Sequence, residues 1–387
     1  DKSPDYPGAF RIRGQANLEL SRYQQAVSDL SRAIEINSND PEAYMWRALA
    51  FQALNQPVKA ISDLNIALEH DPKNASAWYR KGNLLVAAND QAEAMKAYGR
   101  ALELDPRNVE AFNNRGFVNA TLGKSDAAIL DFSKALEFNP RFEKALINRA
   151  DTYSRAGRNR EALADYEALL RIAKPDAGIL VTKAEIQLRL GNTQEAINDL
   201  NQALSLKPEA IDVIALRGQA YKLANQCDKA VQDFDKMLKA HPDDGSTLVD
   251  RGRCLIALKQ FKSGIDDLDK ALKLDPKLAS AAILYDMAVA NASIRNLAAA
   301  VNQFSKVIAM APSNGLAVAN RGVAYKDLGQ LEEAARDFRQ ALGLLEKQSS
   351  KEYTSSLLNE TEALIKARKP KTPMQFLIGE NVVPESG

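Results

Sequence analysis

The chain has 387 residues, of which 45% are hydrophobic and 6% aromatic, and its 51 lysines and arginines nearly balance its 50 aspartates and glutamates. This balance argues against a general nucleic-acid or anionic-membrane binder, which would carry a basic surplus. No apolar run approaches the roughly 18 residues that a membrane span needs. We therefore expect a soluble protein with no nucleic-acid partner and no membrane span. Its compartment stays open, with the cytoplasm and a bacterial periplasm as the alternatives.

Residues 1–6 are predicted to be a short N-terminal leader, and the sequence after them repeats with a period of 34 residues. Units start at residues 7, 41, 75, 109, 143, 177, 211 and 245 and, after a two-residue slip at Ala279-Ser280, at 281 and 315. Ten units therefore cover residues 7–348. Self-similarity at a fixed period indicates a repeat architecture.

Small and large residues recur at fixed positions of the unit. Positions 8 and 20 are Gly or Ala in all ten units, and position 24 is always large, as at Tyr98 and Phe132. Helical spacing places positions 20 and 24 on one face of a second helix, opposite position 8 on the first. The small residues are expected to let the two helices approach closely, and the large residue to fill the space beside them.

Glycine, asparagine and proline predict where the helices end. Position 15 is Gly or Asn in seven units and position 32 is Pro in seven. Gly and Asn tolerate the left-handed conformation that ends a helix, and Pro cannot continue one. Each unit is thus predicted to be a helical hairpin that buries its apolar face only by stacking on its neighbours.

The segment AWYRKGNLLVAANDQAEAMKAYGRALELDP at residues 77–106 resembles the consensus of the tetratricopeptide repeat family. The matching residues are Trp78, Gly82, Ala94, Tyr98, Ala101 and Pro106. The resemblance implies an all-α, right-handed superhelical solenoid of helix-turn-helix hairpins, with a concave groove lined by the first helices. It also implies that the chain binds proteins or peptides and is not an enzyme.

The C-terminal part departs from the repeat. Residues 349–368 are predicted to form a capping helix over the last hairpin, because a solenoid must cover its end. Its predicted apolar face consists of Leu357, Leu358, Ala363, Leu364 and Ile365. Residues 369–387 are predicted to be a tail. With Phe376 and Ile378, the tail either docks on the last hairpin or in the groove, or is a disordered end.

The candidate binding groove is assigned to the first helices of the units that start at 75, 109 and 143. Its residues are Tyr79, Asn83, Asn114, Phe117, Lys144, Ile147 and Asn148. Aromatic anchors ringed by hydrogen-bonding groups are the usual composition of interface hot spots. Side-chain amides can also hold the backbone of an extended peptide.

One binding site known in the family can be tested by position. Some tetratricopeptide cochaperones clamp a terminal carboxylate with Lys, Asn, Asn, Lys and Arg. Here Tyr79, Asn83, Asn114, Lys144 and Asn148 stand at those places. Two cations are missing, and cations make the strongest hydrogen bonds to a carboxylate. The sequence therefore favours an internal peptide segment over a free carboxylate end.

Opposite charges recur at two further positions. Position 7 is Arg or Lys in nine units and position 23 is Asp in eight, whereas the unit from 281 has Met287 and Gln303 instead. The joint loss predicts contact within about 4 Å; the alternative is two solvated charges that contribute about 0–1 kcal/mol.

No cofactor or metal site is expected. The two cysteines, Cys227 and Cys254, are interpreted as small buried hydrophobes. The predicted function is a non-catalytic scaffold or adaptor that binds peptide segments or partner proteins. The alternatives are a non-catalytic regulatory subunit of an enzyme or envelope assembly machine, and a self-assembling structural array, so self-association stays open.

Overall fold

The computed structural model describes residues 6–368, which form helices joined by short turns, without a strand in that range. They belong to two compact units, one up to Asn192 and one from Thr193. The first contains α1 (Pro7–Glu19), α2 (Tyr23–Ile36), α3 (Pro41–Ala53), α4 (Pro57–His70), α5 (Ala75–Ala87), α6 (Gln91–Leu104), α7 (Val109–Thr121), α8 (Ser125–Phe138), α9 (Glu143–Arg155), α10 (Asn159–Ile172) and α11 (Ala177–Arg189).

The second unit begins with α12 (Thr193–Leu206) and ends with the longest helix. Its other helices are α13 (Ile211–Leu223), α14 (Cys227–Ala240), α15 (Gly245–Ala257), α16 (Phe261–Leu274), α17 (Ala281–Ser293), α18 (Leu297–Met310), α19 (Gly315–Asp327), α20 (Leu331–Leu344) and α21 (Gln348–Arg368). None of the helices between residues 6 and 368 combines the length and apolarity that a membrane crossing demands.

The helix bounds follow the repeat register. In the described part of the chain, every first helix covers positions 1–13 of its unit and every second helix covers positions 17–30. The prediction of an all-α fold built from helical hairpins is confirmed. The division into a leader, repeats, a cap and a tail stays a prediction. Most of the predicted leader and the whole tail, with Phe376 and Ile378, lie outside the described residues.

The residue at position 15 has a positive φ in each of the ten hairpins. In addition to the seven Gly and Asn residues, Ser21, Lys259 and Arg295 adopt this conformation, with φ of 59°, 62° and 65°. The hydrogen bonds are those of a Schellman motif: Lys124 N donates to Asn119 O at 2.9 Å. The turn is therefore kept even where the sequence does not signal it.

Close approach of the two helices in a hairpin is confirmed. A Cβ atom added to Gly82 would lie 2.5 Å from the ring of Tyr98, and one added to Gly116 would lie 2.8 Å from the ring of Phe132. Both rings are almost fully buried, as is the alanine at position 20 of the same hairpins. Since real Cβ contacts are essentially never this short, either ring would have to shift if its glycine carried a Cβ.

The predicted contact between positions 7 and 23 is also confirmed. Arg13/Asp29, Arg47/Asp63, Arg115/Asp131, Arg149/Asp165, Arg217/Asp233, Arg251/Asp267 and Arg321/Asp337 form ion pairs at 2.6–2.8 Å. The aspartates are buried, so the alternative of two solvated charges is wrong for these pairs. Hydrogen bonding to Asp63 raises the pKa of Arg47 despite its burial.

The unit that starts at 281 replaces the ion pair with neutral side chains. Met287 is 1% exposed and packs in the core with Leu284 and Phe304. Gln303 accepts a hydrogen bond from Asn291 Nδ2 at 3.0 Å. The two-residue slip before this unit follows a 3-10 turn at Pro276–Leu278. The slip itself predicts a bend or a loosened joint in the superhelix at this point, and that stays a prediction.

Helix α21 lies against the last hairpin. Its Glu362 pairs with Arg339 at 2.6 Å and its Glu360 with Lys326 at 2.7 Å, while Arg368 Nη1 donates to Gly329 O at 3.1 Å. These contacts link α21 to both α19 and α20.

The predicted apolar face of α21 is correct only in part. Ala363 and Leu364 are exposed, whereas Thr354 and Thr361 are the buried residues. Each threonine hydroxyl donates to the carbonyl four residues earlier, at 2.8 Å and 2.6 Å respectively. Because the hydroxyls are satisfied within the helix, threonine can be buried at these two positions.

Candidate peptide-binding groove

The predicted site residues lie on the first helices of three repeats, all within the compact unit that ends at Asn192. Helix α5 carries Tyr79 and Asn83, α7 carries Asn114 and Phe117, and α9 carries Lys144, Ile147 and Asn148. They share a repeat position or lie one helical turn apart, so the fold brings them to corresponding faces of neighbouring helices.

A row of asparagines crosses these helices, and we call Asn83, Asn113, Asn114 and Asn148 the amide row. Asn148 Nδ2 donates to Asn113 Oδ1 at 2.9 Å, and Asn114 Nδ2 donates to Asn83 Oδ1 at 2.8 Å. Asn113 Nδ2 completes the row by donating to Asn114 Oδ1 at 3.1 Å. The amides therefore link α5, α7 and α9 to one another.

Two tyrosines support the start of the amide row. The hydroxyl of Tyr98, from α6, donates to Asn83 Oδ1 at 2.7 Å, and burial raises the pKa of Tyr98, so the phenol keeps its proton. Tyr79 packs beside it with ring centroids 6.2 Å apart and lies 3.4 Å from Asn114 Nδ2. Tyr79 thus contacts both Tyr98 and Asn114.

The apolar and charged members of the predicted set differ in their exposure. Phe117 is 47% exposed and Lys144 is exposed, so both side chains are open to a partner. Ile147 is only partly exposed because it packs on the core formed by α8, α9 and α10.

Some hydrogen-bonding capacity of the amide row is unused. Among residues 6–368, Asn83 Nδ2 and Asn148 Oδ1 have no hydrogen-bond partner. One is a donor and the other an acceptor, which is the pair of groups that an extended peptide backbone requires. The remaining amide atoms of the row are already bonded to each other.

Asn113 and Tyr98 are not among the seven residues that were predicted from the sequence to form the site. Asn113 is buried and bridges Asn148 to Asn114, and Tyr98 was interpreted as core alone. The adjacent asparagines Asn113-Asn114 were the available signal, since a polar residue at a position that faces a neighbouring helix needs a partner.

A separate cavity opens between α17, α18 and α19, in the compact unit that starts at Thr193. Its volume is about 260 Å³, and its walls include Val289, Leu297, Phe304 and Val323. Asn320, also in the lining, donates to Tyr285 Oη at 2.8 Å. This pocket is mostly apolar, with few polar groups.

Within residues 6–368 no group of three or more His, Cys, Asp or Glu side chains is placed to hold a metal ion. Seven of the eight carboxylates at position 23 are engaged by arginines, as at Asp63 and Asp131. The candidate site consists of amides, aromatic rings, one isoleucine and one lysine.

Paired helices that repeat every 34 residues define the chain as a helical-hairpin repeat protein. Family models described as tetratricopeptide repeat match residues 47–100, 147–211, 216–279 and 285–349, and a further one matches 109–142. A model described as TPR repeat matches residues 14–55 and 82–123. The chain belongs to the tetratricopeptide repeat family.

Solved structures of low sequence identity are also similar to parts of the chain. PilF of Pseudomonas aeruginosa is 23% identical over 52% of this chain and 92% of its own, with a TM-score of 0.46. The type IV pilus biogenesis factor PilW is 24% identical over 53% and 96%, also at 0.46. A tetratricopeptide repeat protein of Parabacteroides merdae is 20% identical over 65% and 98%, at 0.44. No curated protein sequence matches the chain significantly.

Proposed function

We propose that the chain is a non-catalytic scaffold that holds an extended, internal segment of a partner protein across α5, α7 and α9. The observation that carries this proposal is the exposed ring of Phe117 on the same helix as the central asparagines of the amide row. An apolar anchor beside backbone-binding groups is the arrangement that peptide grooves use.

Phe117 supplies the affinity in this proposal. Its ring is 47% exposed, and burying the rest of it under a partner side chain removes apolar surface from water. Aromatic anchors of this kind typically contribute about 2 kcal/mol or more when they are hot spots.

The amide row supplies the orientation of the peptide. Asn83 Nδ2 has no hydrogen-bond partner among residues 6–368 and is open to donate to a peptide carbonyl. Asn148 Oδ1 is open to accept from a peptide N–H. Their other atoms are fixed by hydrogen bonds to neighbouring helices, so little side-chain entropy is lost on binding.

The charges of the site support an internal segment. Lys144 is the one cation of the predicted set, and Tyr79 and Asn148 stand where a carboxylate clamp would need further cations. A single exposed lysine gives a weak hold on a free carboxylate. A peptide that passes through the groove presents neutral backbone groups, which match the amides.

Site-specific photo-crosslinking in the native source tests the proposal. A photoreactive residue at position 117 should crosslink to a partner peptide that is not the partner's C-terminus. Leu130, which is 63% exposed on α8, is the matched control position. Crosslinks from 130 alone would move the site to the other face, and crosslinks to a second copy of the chain would support a self-assembling array.

Affinity for the crosslinked partner provides the second measurement. Phe117→Ala should weaken binding by about 2 kcal/mol, roughly 30-fold, whereas Leu130→Ala should leave it unchanged. Equal affinities for the two folded variants would contradict the proposal. An enzymatic activity that co-purifies with the chain would support the regulatory-subunit alternative.

A further inference from the structure

The two cysteines of the chain lie side by side in the compact unit that starts at Thr193. Cys227 is the first residue of α14 and Cys254 lies near the end of α15, and their sulfur atoms are 2.9 Å apart. Both are free thiols. The interpretation of both as buried hydrophobes is correct for Cys254, which is 1% exposed, and wrong for Cys227, which is partly exposed.

The repeat itself does not require this pair. Cys227 stands at position 17 of its unit and Cys254 at position 10 of the next one. The same two positions hold Ser125 and Thr152 in one earlier pair of repeats, and Phe261 and Ala290 in the next pair along the chain. The chain has two cysteines in 387 residues, and the fold places them in contact.

We propose that Cys227 and Cys254 are a thiol–disulfide modification site, which small disulfide oxidants of the glutathione class convert to a bond between α14 and α15. The distance between the sulfur atoms lets the bond form with little movement of the backbone. The reaction joins two consecutive hairpins, since α14 is the second helix of one unit and α15 the first helix of the next.

The two sulfur atoms have different parts in the reaction. Cys254 is buried, and burial raises its pKa to about 12, with the hydrogen bond to Cys227 adding to the effect. A neutral, inaccessible thiol is a poor first nucleophile. Cys227 is the sulfur that an oxidant in solution can reach.

The reaction proceeds by two exchange steps. The thiolate of Cys227 attacks one sulfur of oxidised glutathione, which forms a mixed disulfide and releases one glutathione thiolate. The sulfur of Cys254 then attacks the Cys227 sulfur, gives its proton to solvent and releases the second glutathione. The protein loses two hydrogen atoms in total, and one disulfide oxidant is reduced to two thiols.

The bond acts on a joint that noncovalent contacts already hold. Lys222 of α13 pairs with Asp250 of α15 at 2.6 Å, close to the cysteines. A disulfide there closes residues 227–254 into a loop, which restricts the unfolded chain and stabilises the folded one. Oxidation therefore stiffens the connection between these two hairpins.

Oxidation of the full chain tests the site. After treatment with oxidised glutathione, peptide mapping should find Cys227 linked to Cys254 in monomeric chains, and the midpoint of thermal unfolding should exceed that of the chain reduced with dithiothreitol. Disulfides only between two chains, or no linked peptide, would overturn the proposal.

Two single variants test the order of attack. Cys254→Ala should accumulate glutathione on Cys227, and Cys227→Ser should take it up at least tenfold more slowly. Both replacements occur at the same repeat positions of this chain, as Ala220 and Ser125, so the variants are expected to fold, which circular dichroism checks. Equal rates of glutathione uptake would reject Cys227 as the attacking sulfur.

Discussion

Arg47 and Asp63 join through two parallel hydrogen bonds, Nε to Oδ2 and Nη2 to Oδ1, each 2.8 Å long. The same guanidinium donates from Nη1 to Ser31 Oγ at 3.0 Å. One side chain of α3 thus holds both α4, in its own hairpin, and α2, in the preceding one. A hydrogen bond like that from Arg47 to Ser31 also joins Arg149 to Ser133.

Removing the carboxylate should be costly where the arginine is sheltered. Asp63→Ala leaves the Arg47 guanidinium, 19% exposed as a side chain, without its charge partner. We expect a loss of about 2–4 kcal/mol in the free energy of unfolding, because an uncompensated charge stays partly buried. Urea unfolding of the wild type and the variant measures it.

The pair at the start of the chain is the matched control. Arg13 is 64% exposed as a side chain, so after Asp29→Ala its charge is solvated by water. The loss of stability should be clearly smaller than for Asp63→Ala. Equal losses would mean that burial of the arginine does not set the cost of breaking the pair.

Two glycines of one hairpin should respond to alanine with opposite signs. A Cβ at Gly82 would lie 2.5 Å from the ring of Tyr98, whereas a Cβ at Gly99, in the middle of α6, has nothing within 4 Å. Gly82→Ala should destabilise by about 1–3 kcal/mol through overpacking, and Gly99→Ala should stabilise by about 0.5–1 kcal/mol because Ala favours the helix. Thermal or urea unfolding gives both signs. A stabilised Gly82→Ala would show that the hairpin has space at this contact.

The close contact of Gly82 and Tyr98 was predictable from the sequence because a small residue at one fixed helical position and a large residue at another recur in all ten units. Repetition averages out the local ambiguity that limits single-sequence interpretation. The turns at Ser21, Lys259 and Arg295 were not predictable in this way. Their left-handed backbone is imposed by the packing of the two helices they connect, which overrides the preference of the residue itself.

Lys259 should therefore be a site of stored strain. It has a φ of 62°, which costs an L-residue roughly 1–2 kcal/mol and costs glycine little. Lys259→Gly should raise the free energy of unfolding by about 0.5–1 kcal/mol, after the extra chain entropy of glycine is deducted. Asn225→Gly, at a φ of 56°, is the control and should gain less, because Asn tolerates this conformation. Equal gains would attribute the effect to glycine alone.

The buried phenol of Tyr166 should make the free energy of unfolding decrease at alkaline pH. Burial, with the hydrogen bond to Asp151, raises the pKa of Tyr166. In the unfolded chain this tyrosine ionises near pH 10, but in the folded chain it stays protonated. Its contribution is thus complete below about pH 10 and falls as the pH rises further, by up to about 1.4 kcal/mol per pH unit.

Comparison of phenylalanine variants isolates this contribution. Tyr166→Phe should show a shallower decrease of stability between about pH 9 and pH 11 than the wild type. Tyr353→Phe, at a residue that is 66% exposed, is the control and should keep the wild-type slope. A wild-type slope in Tyr166→Phe would mean that other groups cause the alkaline loss.

The helices that carry the candidate residues were predictable from the sequence, and the hydrogen bonding among those residues was less so. Repeat positions place Asn83, Asn114 and Asn148 on facing helices, which the structure shows. The sequence could not show that these amides bond mainly to each other, since hydrogen-bond pairing depends on distances between helices that the repeat pattern does not fix. As a result, Phe117 is a cleaner probe of binding than Asn114, which also supports α5.

The unit that starts at 281, in which neither of the two positions is charged, offers a direct test of coupling between them. Met287 is 1% exposed and Gln303 is held by Asn291, so this hairpin is adapted to a neutral contact. Met287→Arg alone should destabilise because it buries an unpaired charge, and Gln303→Asp alone should do the same.

The double variant should recover part of that loss. With Arg at 287 and Asp at 303, the two helices carry the residues that meet at 2.7 Å as Arg251 and Asp267 in the preceding hairpin. Arg251 also donates a third hydrogen bond to Asp235, at position 25 of the repeat before its own. Asp269 occupies that same position in the repeat before Met287 and Gln303. We expect a favourable coupling of about 1–3 kcal/mol in a double-mutant cycle measured by urea unfolding. Additive losses would show that the slip at Ala279-Ser280 has moved α17 out of the geometry of the other hairpins, since the same residues would then be unable to meet.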